Sequence, residues 1–344
     1  MVNRRAQFHA IASGEPGAGH LTAAWQHLIG HEYGAEAFAD AYVDFVKRWD
    51  WDWVKINPRA VWYAESWGSR FDPQDYGDYV IPRKVEDVIK TPEDITKVTE
   101  LDWRDNPVLS ESIEAATLIR ERLQDRAVIQ TLFSPLSILL QLADLPLYAG
   151  DTHAHPTVTL DALVFDQPER AHEALGNIAR TFAKVAAQLV TPANLGGAGL
   201  DGIFYAVTGT AGLFTKEQYE EFGRPYDEIV LTAIHEANRD SKVLLHTCRD
   251  HANPDWFDID AVDILQWDQY ADGNPAADAD FAAVPVAGAH SEDFGPDGDL
   301  ARLRQELNDT VALRDGRPFL LAPSCTVPTP AADEALAVLA ELRA

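Results

Sequence analysis

Short apolar runs rich in β-branched and aromatic residues, each bounded by turn signals, recur along the chain: WVKIN (53–57), AVIQTLF (127–133), GIFYAV (202–207), KVLLHTC (242–248), VDILQWD (262–268), VPVAGA (284–289) and PFLLAPSC (318–325). Runs of that length and make-up predict strands buried on both faces. Between most of them lie amphipathic stretches over 168–190, 215–238, 299–314 and 330–343, which predict helices. Start signals accompany two helical turns. Thr91, Pro92 and Asp94 spell a capping box with proline at the first helical position, and Thr215 with Gln218 repeats the box.

Strands alternating with helices predict a parallel sheet. The runs supply seven strands, and the long gaps before 127 and before 202 leave room for an eighth, so the pattern fits an α/β single (β/α)8 TIM barrel. An N-terminal helical segment precedes it, and the alternating YGDYVIPRKVEDVIKT predicts a hairpin inserted near the first strand. No repeat, low-complexity tract or linker divides the chain, so residues 1–344 read as one domain.

Charge narrows the partners. Lysine and arginine number 28 against 55 aspartates and glutamates, and a net charge of -27 repels phosphate backbones and anionic lipid, which argues against nucleic acid and membrane. Neither a secretory apolar segment nor a run long enough to span a bilayer occurs, so a cytoplasmic address is expected. In that reducing compartment the two cysteines of the chain read as metal-binding or catalytic ahead of a structural disulfide.

Their placement carries the chemistry. Residues i and i+2 of a strand share a face, so His246 and Cys248 project together at the C-terminal end of their strand, the end where barrel active sites lie. Cys325 closes a different strand at the corresponding end. One imidazole and two thiolates form an N/S set suited to Zn2+ that leaves a fourth position for substrate. Two inert buried cysteines beside a core histidine, or a disulfide, remain open on the residues alone. Asp268, at another strand end, is placed to orient the ligand histidine or line the pocket, and Tyr205, Trp267 and His290 are further pocket candidates, each equally compatible with a place in the core. THAHP puts His153 and His155 at i and i+2, but no strand precedes it and no matching ligand series follows. GEPGAGH lacks the lysine and preceding strand of a phosphate loop and reads as an ordinary loop.

GIFYAVTG, the HTC at 246, ILQWD and PFLLAPSCTVPTP resemble the uroporphyrinogen decarboxylase superfamily, with VKINPRAVWYAESWG and TPEDITKV fitting its N-terminal half. The resemblance spans nearly the whole chain and independently implies a TIM barrel. It offers two activities: metal-free decarboxylation of uroporphyrinogen, and zinc-dependent transfer of methyl groups from corrinoid proteins to thiols. The decarboxylase pattern has an N-terminal arginine-rich segment, an aspartate after the first barrel strand and a C-terminal histidine. Here GEPGAGHLTAAWQHL, Asn57 and Cys325 stand in those places. The methyltransferase pattern of an H-x-C pair plus a distant cysteine is matched by His246, Cys248 and Cys325. The resemblance therefore implies a zinc methyltransferase acting on a metal-bound thiol, its methyl donor a corrinoid carried by a partner protein, with a homodimer common in the family. Asn57 joins Trp267 and His290 as pocket lining, and Asp268 and Tyr205 are the catalytic candidates. The rivals are a tetrapyrrole decarboxylase with an altered site and a non-catalytic corrinoid- or tetrapyrrole-binding protein.

Overall fold

The computed structural model describes residues 3–77, 80–207 and 212–343. Eight strands, all paired in parallel, make one sheet: β1 (His20–Thr22), β2 (Trp53–Ile56), β3 (Ala127–Phe133), β4 (Gly202–Val207), β5 (Lys242–Thr247), β6 (Ile264–Gln266), β7 (Val284–Ala287) and β8 (Phe319–Leu321). Their spatial order, β1-β8-β7-β6-β5-β4-β3-β2, curls the sheet into a nearly closed barrel with helices around it, an α/β TIM barrel. Adjacent strands approach closely where glycine permits: a Cβ at Gly202 would overlap the Lys242 carbonyl oxygen, and one at Gly288 that of Ala322.

The seam between β1 and β2 is bridged by one side chain. Asp52 donates its N–H to the Thr22 carbonyl (2.9 Å), and its Oδ2 accepts from both the Thr22 N–H (2.9 Å) and the Thr22 hydroxyl (3.0 Å). Arg4 closes on the other carboxylate oxygen at 3.1 Å. That arginine belongs to the helix Arg4–Ala12, which covers the N-terminal end of the barrel and sets Phe8 against Trp53. Asp201, just before β4, anchors the same helix by accepting from Arg5 (2.6 Å) and pairing with His9 (3.0 Å), while its other oxygen takes the Val128 N–H.

Seven strands fall within the apolar runs, and β3 and β4 match theirs end to end. The eighth does not lie in either predicted gap. It is β1, three residues emerging from the glycine-rich loop and too short to show a period, so WVKI becomes the second strand. The gap before 127 holds a hairpin and the helix Pro107–Arg122, and the gap before 202 holds the helix Pro168–Val190. The hairpin pairs Arg83–Glu86 with Arg70–Asp72, upstream of the predicted stretch, of which Asp78 and Tyr79 lie outside the described residues. So do Thr208 and Gly209 of GIFYAVTG. The helix expected over 215–238 is two, Lys216–Phe222 and Arg224–Ala237, divided at Gly223, which packs on the Tyr219 ring ahead of Pro225. The final helix is shorter than expected, Asp333–Ala340. Both capping boxes form.

Removing the seam carboxylate leaves two buried Thr22 donors without an acceptor. Asp52→Ala is expected to lower stability by about 3 kcal/mol in urea unfolding, with Asp52→Asn losing less because it keeps one acceptor oxygen. Equal stability of Asp52→Ala and the native chain would show that the seam does not depend on this residue.

Candidate metal centre

His246 is the fifth residue of β5, and Cys248 follows the strand's last residue, so the i, i+2 relation sets both on the interior side. Cys325 comes four residues after the end of β8, and neighbouring segments hold that extension. Ala322 N–H donates to Ala287 O, Ser324 N–H to Ala289 O, and Gln266 Nε2 to Pro323 O. The three donor atoms converge. His246 Nε2 lies 2.7 Å from Cys248 Sγ and 3.6 Å from Cys325 Sγ, and the sulfurs are 3.8 Å apart. Among the described residues this is the one group of three or more His, Cys, Asp or Glu placed to hold a metal ion.

The chemistry of the set fits zinc. Tetrahedral sites with Zn–S near 2.3 Å and Zn–N near 2.05 Å require S···S of about 3.8 Å and N···S of about 3.6 Å. Two of the three separations already have those values; the His246–Cys248 contact is shorter and would have to open by about 0.9 Å. His246 is buried, its ring tilted against Phe204 at 5.3 Å between centroids, whereas both cysteines are partly exposed. The hydrogen bond from the Cys248 thiol holds Cys325 below the ordinary thiol range, and that same interaction, with burial, holds Cys248 above it.

Lys55 went unremarked in the sequence. It occupies β2 with its side chain inside the barrel, 4% exposed, and Nζ donates to Asn57 Oδ1 at 2.7 Å. Phe204 and Trp25 present their rings to Nζ at 4.2 and 5.0 Å. Burial pulls Lys55 down to about 7, against the opposing pull of Cys325 and Cys248. The available signal was a lone lysine in an otherwise apolar run, two residues before a polar Asn57.

The other candidates separate. Asp268 does not orient His246, whose Nδ1 has no partner among the described residues; its Oδ2 meets His290 Nδ1 at 2.5 Å and its Oδ1 accepts from the Tyr270 N–H. The bond to Asp268 raises the His290 pKa despite partial burial. The pair lies after β6 and β7, on the arc of rim between the two cysteine-bearing strands. Tyr205 is not in the pocket. Phe204 turns inward, so by alternation its neighbour points to the helices, where the Tyr205 hydroxyl donates to Asp227 (2.6 Å) and Tyr219 donates to the other oxygen (2.7 Å). Trp267 is likewise packed outside, its Nε1 on Pro275 O and its ring edge-on to Phe281. His153 and His155 are exposed and outside the metal group. At the rim, Arg249 stacks on Tyr148 at 4.3 Å, bridging two loops beside Cys248.

A cleft of about 1030 Å³ opens at the opposite end of the barrel between Arg5, His9, Arg120 and Asp201. Its one buried carboxylate, Asp201, is shared among all three basic residues. The group of residues that could hold a metal lies instead at the C-terminal rim. No helix of the described residues is long and apolar enough to cross a membrane.

A family model described as uroporphyrinogen decarboxylase (URO-D) matches residues 28–344. Among solved structures, a methyltransferase from Methanosarcina mazei superposes with a TM-score of 0.75 at 14% identity, covering 99% of this chain and 98% of that one. A beta-mannanase from the blue mussel Mytilus edulis reaches 0.49 at 11% identity, over 94% and 91%. At 14% identity the likeness to the Methanosarcina mazei structure shows the fold alone. No curated protein matches this chain by sequence.

The displaced Tyr205 brings a pH signature with it. Burial raises Asp227 to about 7 against the two tyrosine hydrogen bonds, so the folded state holds this proton more tightly than the unfolded chain, whose aspartate titrates near 4. The stabilisation is complete below about pH 4 and is lost as pH rises through about 7, at up to about 1.4 kcal/mol per pH unit. Thermal melts across that window are expected to fall more steeply for the native chain than for Asp227→Asn. Parallel curves would place the proton elsewhere.

Proposed function

The chain belongs to the uroporphyrinogen decarboxylase family, and from that premise we propose that it is a zinc-dependent methyltransferase whose acceptor is a thiol. The observation that carries the reading is the convergence of His246 Nε2 and both cysteine sulfurs, from strands three places apart, at the rim where barrel chemistry occurs. Likeness in fold to the Methanosarcina mazei methyltransferase supports the same branch.

Zinc bound there would act as a Lewis acid, lowering the pKa of an incoming thiol so that it is held as thiolate near neutral pH. The rest belongs to the chain. Cys248 and Cys325 offset the charge of the ion, which keeps an added thiolate electron-rich enough to attack a methyl carbon. His246 supplies the third donor and, packed against Phe204, has little freedom to leave. Asp268 binds Nδ1 of His290 and leaves Nε2 as that ring's second site, suited to take the proton the thiol gives up. The methyl donor in this reading is a methylated corrinoid on a separate protein.

Decarboxylation of a tetrapyrrole is the weaker reading. Its several carboxylates need cationic partners at the mouth, yet the N-terminal arginines are at the other end, Arg4 on Asp50 and Asp52 and Arg5 on Asp201. Asn57 carries no charge and is bonded to Lys55.

Elemental analysis of the purified protein is expected to find about one zinc per chain, and none in a Cys248→Ser, Cys325→Ser double variant. Chelation is expected to abolish thiol methylation. Porphyrinogen decarboxylation that survives both chelation and Cys325→Ser would reject this function for the older one.

A further inference from the structure

Lys55 is a buried ammonium without a carboxylate. The chain has 55 acidic residues, yet none forms an ion pair with Nζ among the described residues. Burying an unpaired charge is costly, so a cation retained inside a barrel implies a counter-charge. The atoms around Nζ are all electron-rich: the Asn57 carbonyl oxygen at 2.7 Å and the faces of Phe204 and Trp25. None offers a proton to an amine lone pair, so the surroundings suit the protonated form. Phe204 also packs 5.3 Å from the His246 ring, which sets Nζ one aromatic ring away from the donor set of His246, Cys248 and Cys325, and the Cys325 sulfur favours the ammonium.

Metal loading would remove that counter-charge, since two thiolates and a neutral imidazole cancel a divalent ion. Lys55, already pulled down to about 7 by burial, then keeps its proton best when an anion takes the remaining coordination position. Arg249, stacked on Tyr148 beside Cys248, adds a second cation at the rim. A second observation points the same way: Asn57 Nδ2 is a buried donor with no acceptor among the described residues. Its amide orientation is forced, because lysine can only donate to the oxygen.

We propose that Lys55, held by Asn57, makes the coordination position left by His246, Cys248 and Cys325 select an anionic donor over a neutral one, and so discriminate substrate thiolate from methylated product. This rests on the metal-centred reading above. When the sulfur attacks the methyl carbon, an S–C bond forms and the bond from that carbon to the corrinoid donor breaks, both its electrons staying on the donor. The sulfur passes from anionic thiolate to uncharged thioether. Lys55 loses its counter-charge at that moment, and the attraction that held the acceptor ends with the reaction. Lys55 is a positioning residue here: it acts on the ligand through charge, not on the reacting bond.

The test uses the cobalt(II)-loaded protein, whose visible bands report fourth-ligand binding, titrated with azide as an anion and imidazole as a neutral donor. Lys55→Met is expected to weaken azide about tenfold or more and to change imidazole by less than about twofold. Asn57→Asp sets a carboxylate on the ammonium with almost no change in volume and is expected to give the same selective loss, which keeps the test intact if Lys55→Met does not fold. Equal losses for both probes, or no loss, in a cobalt-loaded protein overturn the role of Lys55 and leave the metal reading standing. A native chain that takes up no cobalt removes both.

Discussion

Parallel closure is the constraint on which everything else depends. When every strand of a barrel runs the same way, all C-terminal ends share one rim, and residues far apart in sequence meet there without any long-range design of loops. Cys248 and Cys325 are 77 residues apart along the chain and 3.8 Å apart at the sulfurs because β5 and β8 end on that rim. The same closure divides labour between the two ends. The N-terminal end is knit by Asp52 and Asp201 into paired charges that hold the helix Arg4–Ala12 in place. At the other end polar atoms remain unpartnered, His246 Nδ1, Asn57 Nδ2 and Gln266 Oε1 among them.

Between those ends lies an interior layered by aromatic rings. Phe204 separates the Lys55 ammonium from the His246 imidazole, touching both, while Trp25 flanks the ammonium and Trp53 continues the stack toward Phe8. Such walls exclude water and lower the local dielectric, so the few charges present act strongly on one another. The Asp268–His290 pair follows the opposite principle. Asp268 is buried and His290 partly exposed, and each partner shifts the other towards its charged form.

Much of this was legible in the residues because two periodicities dominate. Strands buried on both faces leave apolar runs, and β3 and β4 could be delimited to the residue; strand parity and the scarcity of cysteine pointed to His246, Cys248 and Cys325, whose side chains the fold brings together. What escaped was set by contacts rather than period. β1 has three residues and owes its existence to partners on either side, Phe319–Leu321 by ladder and Asp52 by side chain. Tyr205 was assigned to the wrong face because a residue in a fully buried strand shows no polar side from which to read direction. Asp268 was correctly placed at the rim, but its partner, His290, comes from the adjacent strand end, a pairing no local window contains. Lys55 was passed over as one polar letter in an apolar word, although its burial is what gives it consequence.

The position of β1 has a bearing on biogenesis. The ribosome makes β1 before the other strands of the barrel, yet its ladder neighbour is β8, roughly three hundred residues later, since His20–Thr22 pairs with Phe319–Leu321. Until the last strand emerges, one edge of β1 has no hydrogen-bonding companion, and an uncovered edge is an invitation to associate with other nascent chains. Its brevity limits that hazard. Three residues give a stranger little to grip before β1 and β8 are brought side by side.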